Sequence, residues 1–308
     1  MKIIWVWLFS IGVGFSSAAY GKTLQCQSYL SENSAQVLQQ VKIFDRIYKN
    51  DFFVSRTFDR YTSLLTSPQI PPLIEFLRSL KAKDIYLDAG AGEAKALVEL
   101  IRRTQELELP PLQYLAVALK RPGFSEGFKK SNPQALTELE QHLVTYAKQF
   151  RYIDGDLIEN LVASPKSGLF SYHNKVSLIT DIYGPFSYTS KIEDVLLAYA
   201  SLLKVGRNAL IHFYDPGLNF VNKTKRGTSN KSKNLEQMSH LISELTQGRL
   251  EAVVVSPQHE GKWPQTHLAI LWLKKVSDSP TLTPQSHIEL KHIYDEAPPI
   301  RTYEVSSK

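Results

Sequence analysis

The chain has 308 residues, of which 43% are hydrophobic and 21% charged, and this composition excludes a collagen, a coiled coil and a wholly disordered protein. A formal net charge of +6 affects solubility, and only clustering of the basic residues would indicate an anionic partner. The single cysteine, Cys26, excludes an intrachain disulfide and a multi-cysteine zinc site. The length predicts one or two domains.

The chain begins with a pattern typical of a secretory signal peptide. A basic start precedes the uncharged apolar stretch 3–19, and small residues allow cleavage after Ala19 or Gly21. The alternative is a retained membrane anchor, because about 17 apolar residues reach the lower limit for a span. Gln25 before Cys26 disfavours a lipoprotein, for which a small residue is expected at that position. We therefore expect an exported protein, either periplasmic or secreted.

Apolar residues recur at helical spacing through residues 30–80, which predicts a helical N-terminal extension. Beyond it, short apolar runs alternate with helical stretches, a pattern that indicates βαβ units and a parallel sheet. The predicted strands are Asp84–Asp88, Tyr114–Ala118, Phe150–Ile153, Val176–Thr180 and Ala209–Phe213. The predicted helices between and after them are Lys95–Arg103, Gln134–Gln149, Ile192–Leu203 and one ending at Thr246.

Two later apolar runs, Leu250–Val255 and His267–Leu273, have no room for a helix between them and predict an antiparallel pair at one sheet edge. The expected fold is therefore a Rossmann-like three-layer α/β/α sandwich. Its sheet is mostly parallel and seven-stranded, with an antiparallel last strand. We expect a signal peptide at 1–21, the extension at 22–80, the Rossmann domain at 81–276 and a tail at 277–308. The tail is predicted to be poorly structured apart from a short segment near 288–294.

The first predicted strand ends in Asp88 and runs into Gly90 and Gly92 before the next helix begins. Glycines at such a point permit a tight turn and let a ligand approach the backbone, while the helix offers its first amides. Ligands of open parallel sheets bind at this edge, where the strand order reverses. A plain strand-to-helix turn is the alternative.

The stretch Tyr86–Ala94 resembles the first motif of the class I S-adenosylmethionine-dependent methyltransferases. That resemblance implies S-adenosylmethionine as cofactor, with Asp88, Gly90 and Gly92 around its methionine part. The segment Leu202–Gly206 before the fifth strand is similar to another family segment.

The same resemblance implies roles for acidic residues after two further strands. Asp154 and Asp156 follow the third strand, where the family often places an acidic residue near the adenine. Asp181 follows the fourth, where the family keeps residues beside the transferred methyl group.

The chain departs from the family pattern at two positions. Ala94 replaces the last glycine of the motif, and Ala118 lies where a carboxylate usually holds the ribose hydroxyls. Glu126 is a candidate replacement from the following loop. Lys120 and Arg121 would instead favour a phosphate group.

Asp181 and Tyr183 are the candidate catalytic residues. Asp181 contacts cofactor or acceptor, or else caps the turn that follows. Tyr183, Phe186 and Tyr188 form an acceptor wall, or belong to the core. His212 lies in an apolar strand, where a buried structural histidine is the alternative to a general base.

The segment Asn219–Asn234 carries five basic residues and no acidic one, which fits either a solvated loop or the recruitment of an anionic acceptor. No His-x-x-x-His spacing and no Gly-x-Ser-x-Gly turn occurs. No metal site, nucleic-acid partner or membrane contact beyond the signal segment is predicted. The expected function is methyl transfer to an unknown small molecule or protein. The alternative is an inactive exported binding or interaction module, favoured by the missing ribose carboxylate and by the cytoplasmic origin of the cofactor.

Overall fold

The computed structural model describes residues 56–119, 134–188, 192–214, 218–222, 229–230, 235–255, 268–283 and 288–292. The expected signal peptide, the extension up to residue 55 and the end of the tail lie outside the described residues. The same holds for the basic residues Lys223, Lys225, Arg226, Lys231 and Lys233, and for Lys120, Arg121 and Glu126.

Seven strands form the main sheet and confirm the expected architecture. They are β1 (Ile85–Ala89), β2 (Gln113–Ala118), β3 (Phe150–Asp154), β4 (Val176–Ile182), β5 (Leu203–Tyr214), β8 (Leu250–Val255) and β9 (Leu268–Lys275). Their order across the sheet is β3-β2-β1-β4-β5-β9-β8. Strands β1 to β5 pair in parallel, and β9 is antiparallel to both of its neighbours. The strand order therefore reverses at β1, between β2 and β4.

The helices follow the predicted alternation closely. They are α1 (Phe58–Leu64), α2 (Leu73–Arg78), α3 (Lys95–Arg102), α4 (Ala135–Thr145), α5 (Ile158–Ala163), α6 (Pro185–Tyr188), α7 (Ile192–Leu202) and α8 (Leu235–Leu245). In the described part of the chain, none of them combines the length and apolar character that crossing a bilayer requires.

Each face of the sheet carries its own hydrophobic core, because side chains alternate along every strand. One core joins Leu87 and Ala89 of β1 to α5, α7 and α8. The other joins Tyr86 of β1 to α1, α2 and α3. The described part of the N-terminal extension therefore packs on one face of the sheet, beside the helix that follows the glycine-rich loop.

A second, smaller sheet was not predicted. It contains β6 (Leu218–Asn222), β7 (Ser229–Asn230) and β10 (Ile288–His292), with β6 in the middle. The expectation of a plain loop after β5 is therefore wrong at β6 and β7, whereas the short structured segment expected near 288–294 is present as β10. Strand β5 also begins at Leu203, directly after α7, and not at Ala209 as predicted.

Candidate active site

The loop after β1 contacts the turn after β4 through two glycines. Gly90 has a φ of +85°, and a β-carbon built on it would lie 2.5 Å from the Cα of Gly184. A β-carbon on Gly184 would in turn overlap the Ala89 carbonyl oxygen and lie 2.6 Å from Asp181 Oδ1. Gly90 is therefore needed for this close backbone approach, and the gap between the two segments is filled by protein.

Gly92 has the opposite surroundings. It is exposed, with a φ of +53°, and a β-carbon built on it would meet no atom of the described residues within 4 Å. Its carbonyl oxygen accepts a hydrogen bond of 2.6 Å from the Tyr152 hydroxyl of β3, two strands away. Tyr152 thus holds the loop through the Gly92 carbonyl, and there is space beside the Gly92 Cα in which a ligand can approach the backbone.

Ala94 precedes α3 in the left-handed conformation, with a φ of +57°, and it provides no side-chain cap. A residue with a β-carbon pays about 1–2 kcal/mol for this conformation. The backbone at this position therefore keeps the conformation that glycine would favour, although the residue is alanine.

Asp88 is fully buried at the end of β1. Its Oδ2 accepts a hydrogen bond of 2.8 Å from the Tyr61 hydroxyl of α1, and its Oδ1 accepts one of 3.3 Å from Thr180 Oγ1 of β4. Burial raises the pKa of Asp88 to about 7, against the opposing effect of the Tyr61 hydrogen bond and with a further rise from the charge of Asp181. Asp88 therefore ties the N-terminal extension to the glycine-rich loop.

Asp181 is equally buried and holds the turn after β4. It accepts hydrogen bonds from the amides of Gly184 (2.7 Å) and Phe186 (2.9 Å), and from the Tyr199 hydroxyl of α7 (2.6 Å). Burial raises the pKa of Asp181 to about 6, although these hydrogen bonds oppose the rise. The geometry matches the turn-forming alternative, and contact with a cofactor or acceptor stays a prediction.

The two buried aspartates point to opposite faces of the sheet. In the β1–β4 ladder Asp88 is opposite Thr180, whereas Asp181 is opposite Ala89. Paired residues in a ladder share a face, and neighbouring residues of one strand alternate. Asp88 thus lies on the α1 side and Asp181 on the α7 side, so they do not form a carboxylate pair of the kind that shares a proton.

Tyr183 follows β4 in a left-handed conformation, with a φ of +52°. Its half-buried ring meets the His212 ring edge-on at 4.8 Å between centroids. The Arg56 guanidinium lies on the ring, 5.1 Å from the centroid. The candidate catalytic Tyr183 therefore lies between a buried histidine of β5 and a cation of the N-terminal extension.

The other two aromatic residues of the expected wall are placed differently. Phe186 is fully buried and packs edge-on against Phe213, with ring centroids 5.2 Å apart, as the core alternative requires. The side chain of Tyr188 lies outside the described residues. Of the three expected wall residues, Tyr183 is thus the one whose described side chain is not part of the core.

The carboxylates expected near an adenine lie at the end of β3. Asp154 is half-buried and is the register partner of Ala118 of β2. Asp156 accepts hydrogen bonds of 2.8 Å from the Leu157 amide and from Asn160 Nδ2, at the start of α5. Contact of either carboxylate with a cofactor stays a prediction.

Four residues at this edge were missed by the sequence analysis: Arg56, Tyr61, Tyr152 and Tyr199. Helical or strand periodicity predicts buried positions for the tyrosines, but it does not link their hydroxyls to Asp88, Gly92 or Asp181. No group of three or more His, Cys, Asp or Glu side chains that could hold a metal ion occurs among the described residues.

The sequence matches no protein-family model and no curated protein sequence. The solved structures that resemble the chain include S-adenosylmethionine-dependent methyltransferases. The 1,6-didemethyltoxoflavin-N1-methyltransferase of Burkholderia thailandensis is 15% identical, with a TM-score of 0.45 over 79% of this chain and 89% of its own. A methyltransferase from Clostridium acetobutylicum is 12% identical, with a TM-score of 0.44 over 78% and 99%. One from Aquifex aeolicus is 16% identical, with a TM-score of 0.39 over 66% and 87%. At such identities the likeness concerns architecture alone, and it assigns no role to any residue of this chain.

Proposed function

We propose that the protein binds S-adenosylmethionine at the carboxyl edge of the sheet and transfers its methyl group to an acceptor. The observation that carries the proposal is the exposed backbone at Gly92, directly after the strand at which the order reverses. The S-adenosylhomocysteine complex named for the Burkholderia enzyme is consistent with a ligand of this class. The first 21 residues support the further proposal that the mature protein is exported.

The glycine-rich loop is the part of this edge that fits the cofactor. Gly92 leaves the backbone accessible, and Tyr152 and Asp88 hold the loop in place through its carbonyl and through β1. When bound, S-adenosylmethionine would supply an electrophilic methyl group on a cationic sulfur. Methyl transfer then depends mainly on alignment and on exclusion of water, so the protein needs few reacting groups of its own.

Tyr183 is the described side chain best placed to face an acceptor. It follows β4, and its unusual backbone conformation is held by an amide hydrogen bond of 3.1 Å to the His212 carbonyl. Strained residues of this kind concentrate at functional sites. The proposed role of Tyr183 is to orient the acceptor.

A binding module without catalysis is the second candidate, and three observations favour it. The Gly90–Gly184 contact closes the space between the β1 loop and the β4 turn. Asp181 already accepts three hydrogen bonds from the protein. Ala118 provides no carboxylate at the end of β2.

Calorimetric titration of the purified protein with S-adenosylhomocysteine separates the two candidates. The informative variant is Gly92→Leu, which fills the open space above the loop. Its matched control is Gly206→Leu, because Gly206 is also exposed and left-handed, with a φ of +81°, and a β-carbon built on it would have no neighbour within 4 Å in the part of the chain that the structure describes. Both variants place a leucine at a positive φ, and they differ in their distance from the glycine-rich loop.

We expect micromolar binding by the wild type and by Gly206→Leu, and loss of binding by Gly92→Leu at an unchanged melting temperature relative to the control. If the wild type gives no heat at millimolar ligand, the methyltransferase proposal is wrong and the binding module becomes the better candidate.

A further inference from the structure

Strand β3 brings a carboxylate beside the position where β2 lacks one. Ala118 is the last residue of β2, and its partner in the parallel ladder is Asp154, the last residue of β3. Partners in a ladder share a face and lie about 4.8 Å apart. Asp154 is half-buried, and Ala118 is 6% exposed.

Side chains of β3 already reach across β2 on this face. Tyr152 precedes Asp154 by two residues and therefore shares its face. Its hydroxyl donates a hydrogen bond to the Gly92 carbonyl of the β1 loop, beyond β2, and the β2 residues paired with Tyr152 and Asp154 are Ala116 and Ala118. The short side chains of β2 thus leave a space that β3 uses.

The residues that follow β2 and β3 are joined by a backbone hydrogen bond, and the described residues leave space beside them. The Gly155 amide donates a hydrogen bond of 3.2 Å to the Leu119 carbonyl. Gly155 has a φ of +113°, and among the described residues no atom would lie within 4 Å of a β-carbon built on it. Asp154 therefore lies next to a chain segment that a ligand can approach.

We propose that Asp154 holds the ribose hydroxyls of the nucleoside, in the role for which β2 lacks a carboxylate. This inference rests on the proposed function. A carboxylate offers two oxygens that accept hydrogen bonds, and a ribose diol offers two donors. The proposed ribose-binding carboxylate therefore lies at the end of β3, one strand away from the end of β2.

The test compares two ligands on two variants by calorimetry. The ligands are S-adenosylhomocysteine and its 2′-deoxy analogue, which lacks one of the two hydroxyls. The variants are Asp154→Asn and Asp156→Asn, the second being a matched control because Asp156 bonds to the start of α5.

We expect Asp154→Asn to weaken S-adenosylhomocysteine binding about ten- to a hundredfold and to weaken binding of the deoxy analogue much less. Asp156→Asn should change the binding of both ligands by the same factor.

Equal weakening of both ligands by Asp154→Asn would mean that Asp154 does not act through the ribose hydroxyls and would overturn the inference, and so would unchanged binding of S-adenosylhomocysteine. In either case wild-type binding would still support the proposed function. If the wild type binds neither ligand, both proposals are wrong.

Discussion

Gly90 and Gly184 lie backbone against backbone, so that a β-carbon on Gly90 would be 2.5 Å from the Cα of Gly184. This contact joins the loop after β1, the strand at which the order reverses, to the turn after its neighbour β4. Asp181 holds the same turn by hydrogen bonds to two of its amides. The candidate site is therefore built on a rigid junction of two loops.

Replacing Gly184 by alanine should destabilise the protein by about 1–3 kcal/mol, because the new methyl group would overlap Ala89 and the Asp181 carboxylate. The measurement is urea unfolding at pH 7. Gly168→Ala is the control, since its β-carbon would make ordinary contacts of 3.4 and 3.7 Å with Ile153. Equal stability of the two variants would contradict the packing described here.

The Tyr61→Phe variant tests the link between the extension and the glycine-rich loop. It removes the hydrogen bond from the Tyr61 hydroxyl to Asp88 and leaves Asp88 with the longer one from Thr180. We expect a loss of about 1–3 kcal/mol, because a buried acceptor loses its stronger partner.

Hydrogen exchange should also show faster exchange of the α1 amides in Tyr61→Phe. The control is Tyr172→Phe, since the Tyr172 hydroxyl has no hydrogen bond within the described part of the chain. An α1 that exchanges equally fast in both variants would mean that Asp88 does not anchor the extension.

Burial of Asp88 predicts a dependence of stability on pH. Its pKa is about 7 in the folded protein and near 4 in the unfolded chain, so the folded state binds the proton more tightly. This contribution to the free energy of unfolding is fully present below pH 4 and is lost as the pH rises to 7. Asp181, with a pKa raised to about 6, acts in the same direction.

The Asp88→Asn variant should therefore lose less stability than the wild type between pH 4 and pH 7, by a difference on the order of a few kcal/mol. The measurement is chemical unfolding at half-unit pH steps. Asp194→Asn, at an exposed position of α7, removes the same charge and should keep the wild-type slope. Parallel curves for Asp88→Asn and the wild type would show that folding does not raise the pKa of Asp88.

The main sheet could be predicted from the sequence because its signals are local. Apolar runs and helical spacing place β1 to β5 and their helices within a few residues, apart from the early start of β5. The small sheet could not be found in this way, because β10 pairs with a strand about 70 residues earlier. The residues of the segment Leu218–Asn222 do not indicate which strand pairs with it.

The same distinction between local signals and long-range contacts applies to the candidate site. The motif around Asp88 and Gly92 is local and was located, whereas the hydroxyl partners of Asp88, Gly92 and Asp181 come from residues 27, 60 and 18 positions away. The opposite faces of Asp88 and Asp181 follow from strand register, which a list of strand ends does not contain.

A buried ion-pair group at the amino-terminal end of β1, away from the candidate site, should stabilise the protein. Asp84, just before β1, accepts hydrogen bonds from Lys204 Nζ (2.7 Å), Arg207 Nη2 (3.2 Å) and the Lys81 amide (2.9 Å). Burial acts to raise the pKa of Asp84, but the hydrogen bonds from Lys204 and Lys81 outweigh it and lower the pKa to about 2. The stabilisation is therefore present above pH 4 and is lost as the pH falls towards 2.

Asp84→Asn should reduce the free energy of unfolding at pH 7 by about 1–3 kcal/mol, because two cationic groups lose their shared carboxylate. The difference from the wild type should shrink as the pH is lowered from 4 to 2, and urea unfolding over this range measures it. Asp59→Asn is the control: it breaks the surface ion pair with Arg103 (2.6 Å), and such pairs contribute about 0–1 kcal/mol. The prediction is contradicted if Asp84→Asn lowers the free energy of unfolding no more than Asp59→Asn does, or if its effect persists unchanged at pH 2. Either result would show that the carboxylate charge does not stabilise the link from Asp84 to Lys204 and Arg207 of β5. S-adenosylhomocysteine binding should be unaffected by this substitution, because Asp84 lies at the opposite end of β1 from Gly92.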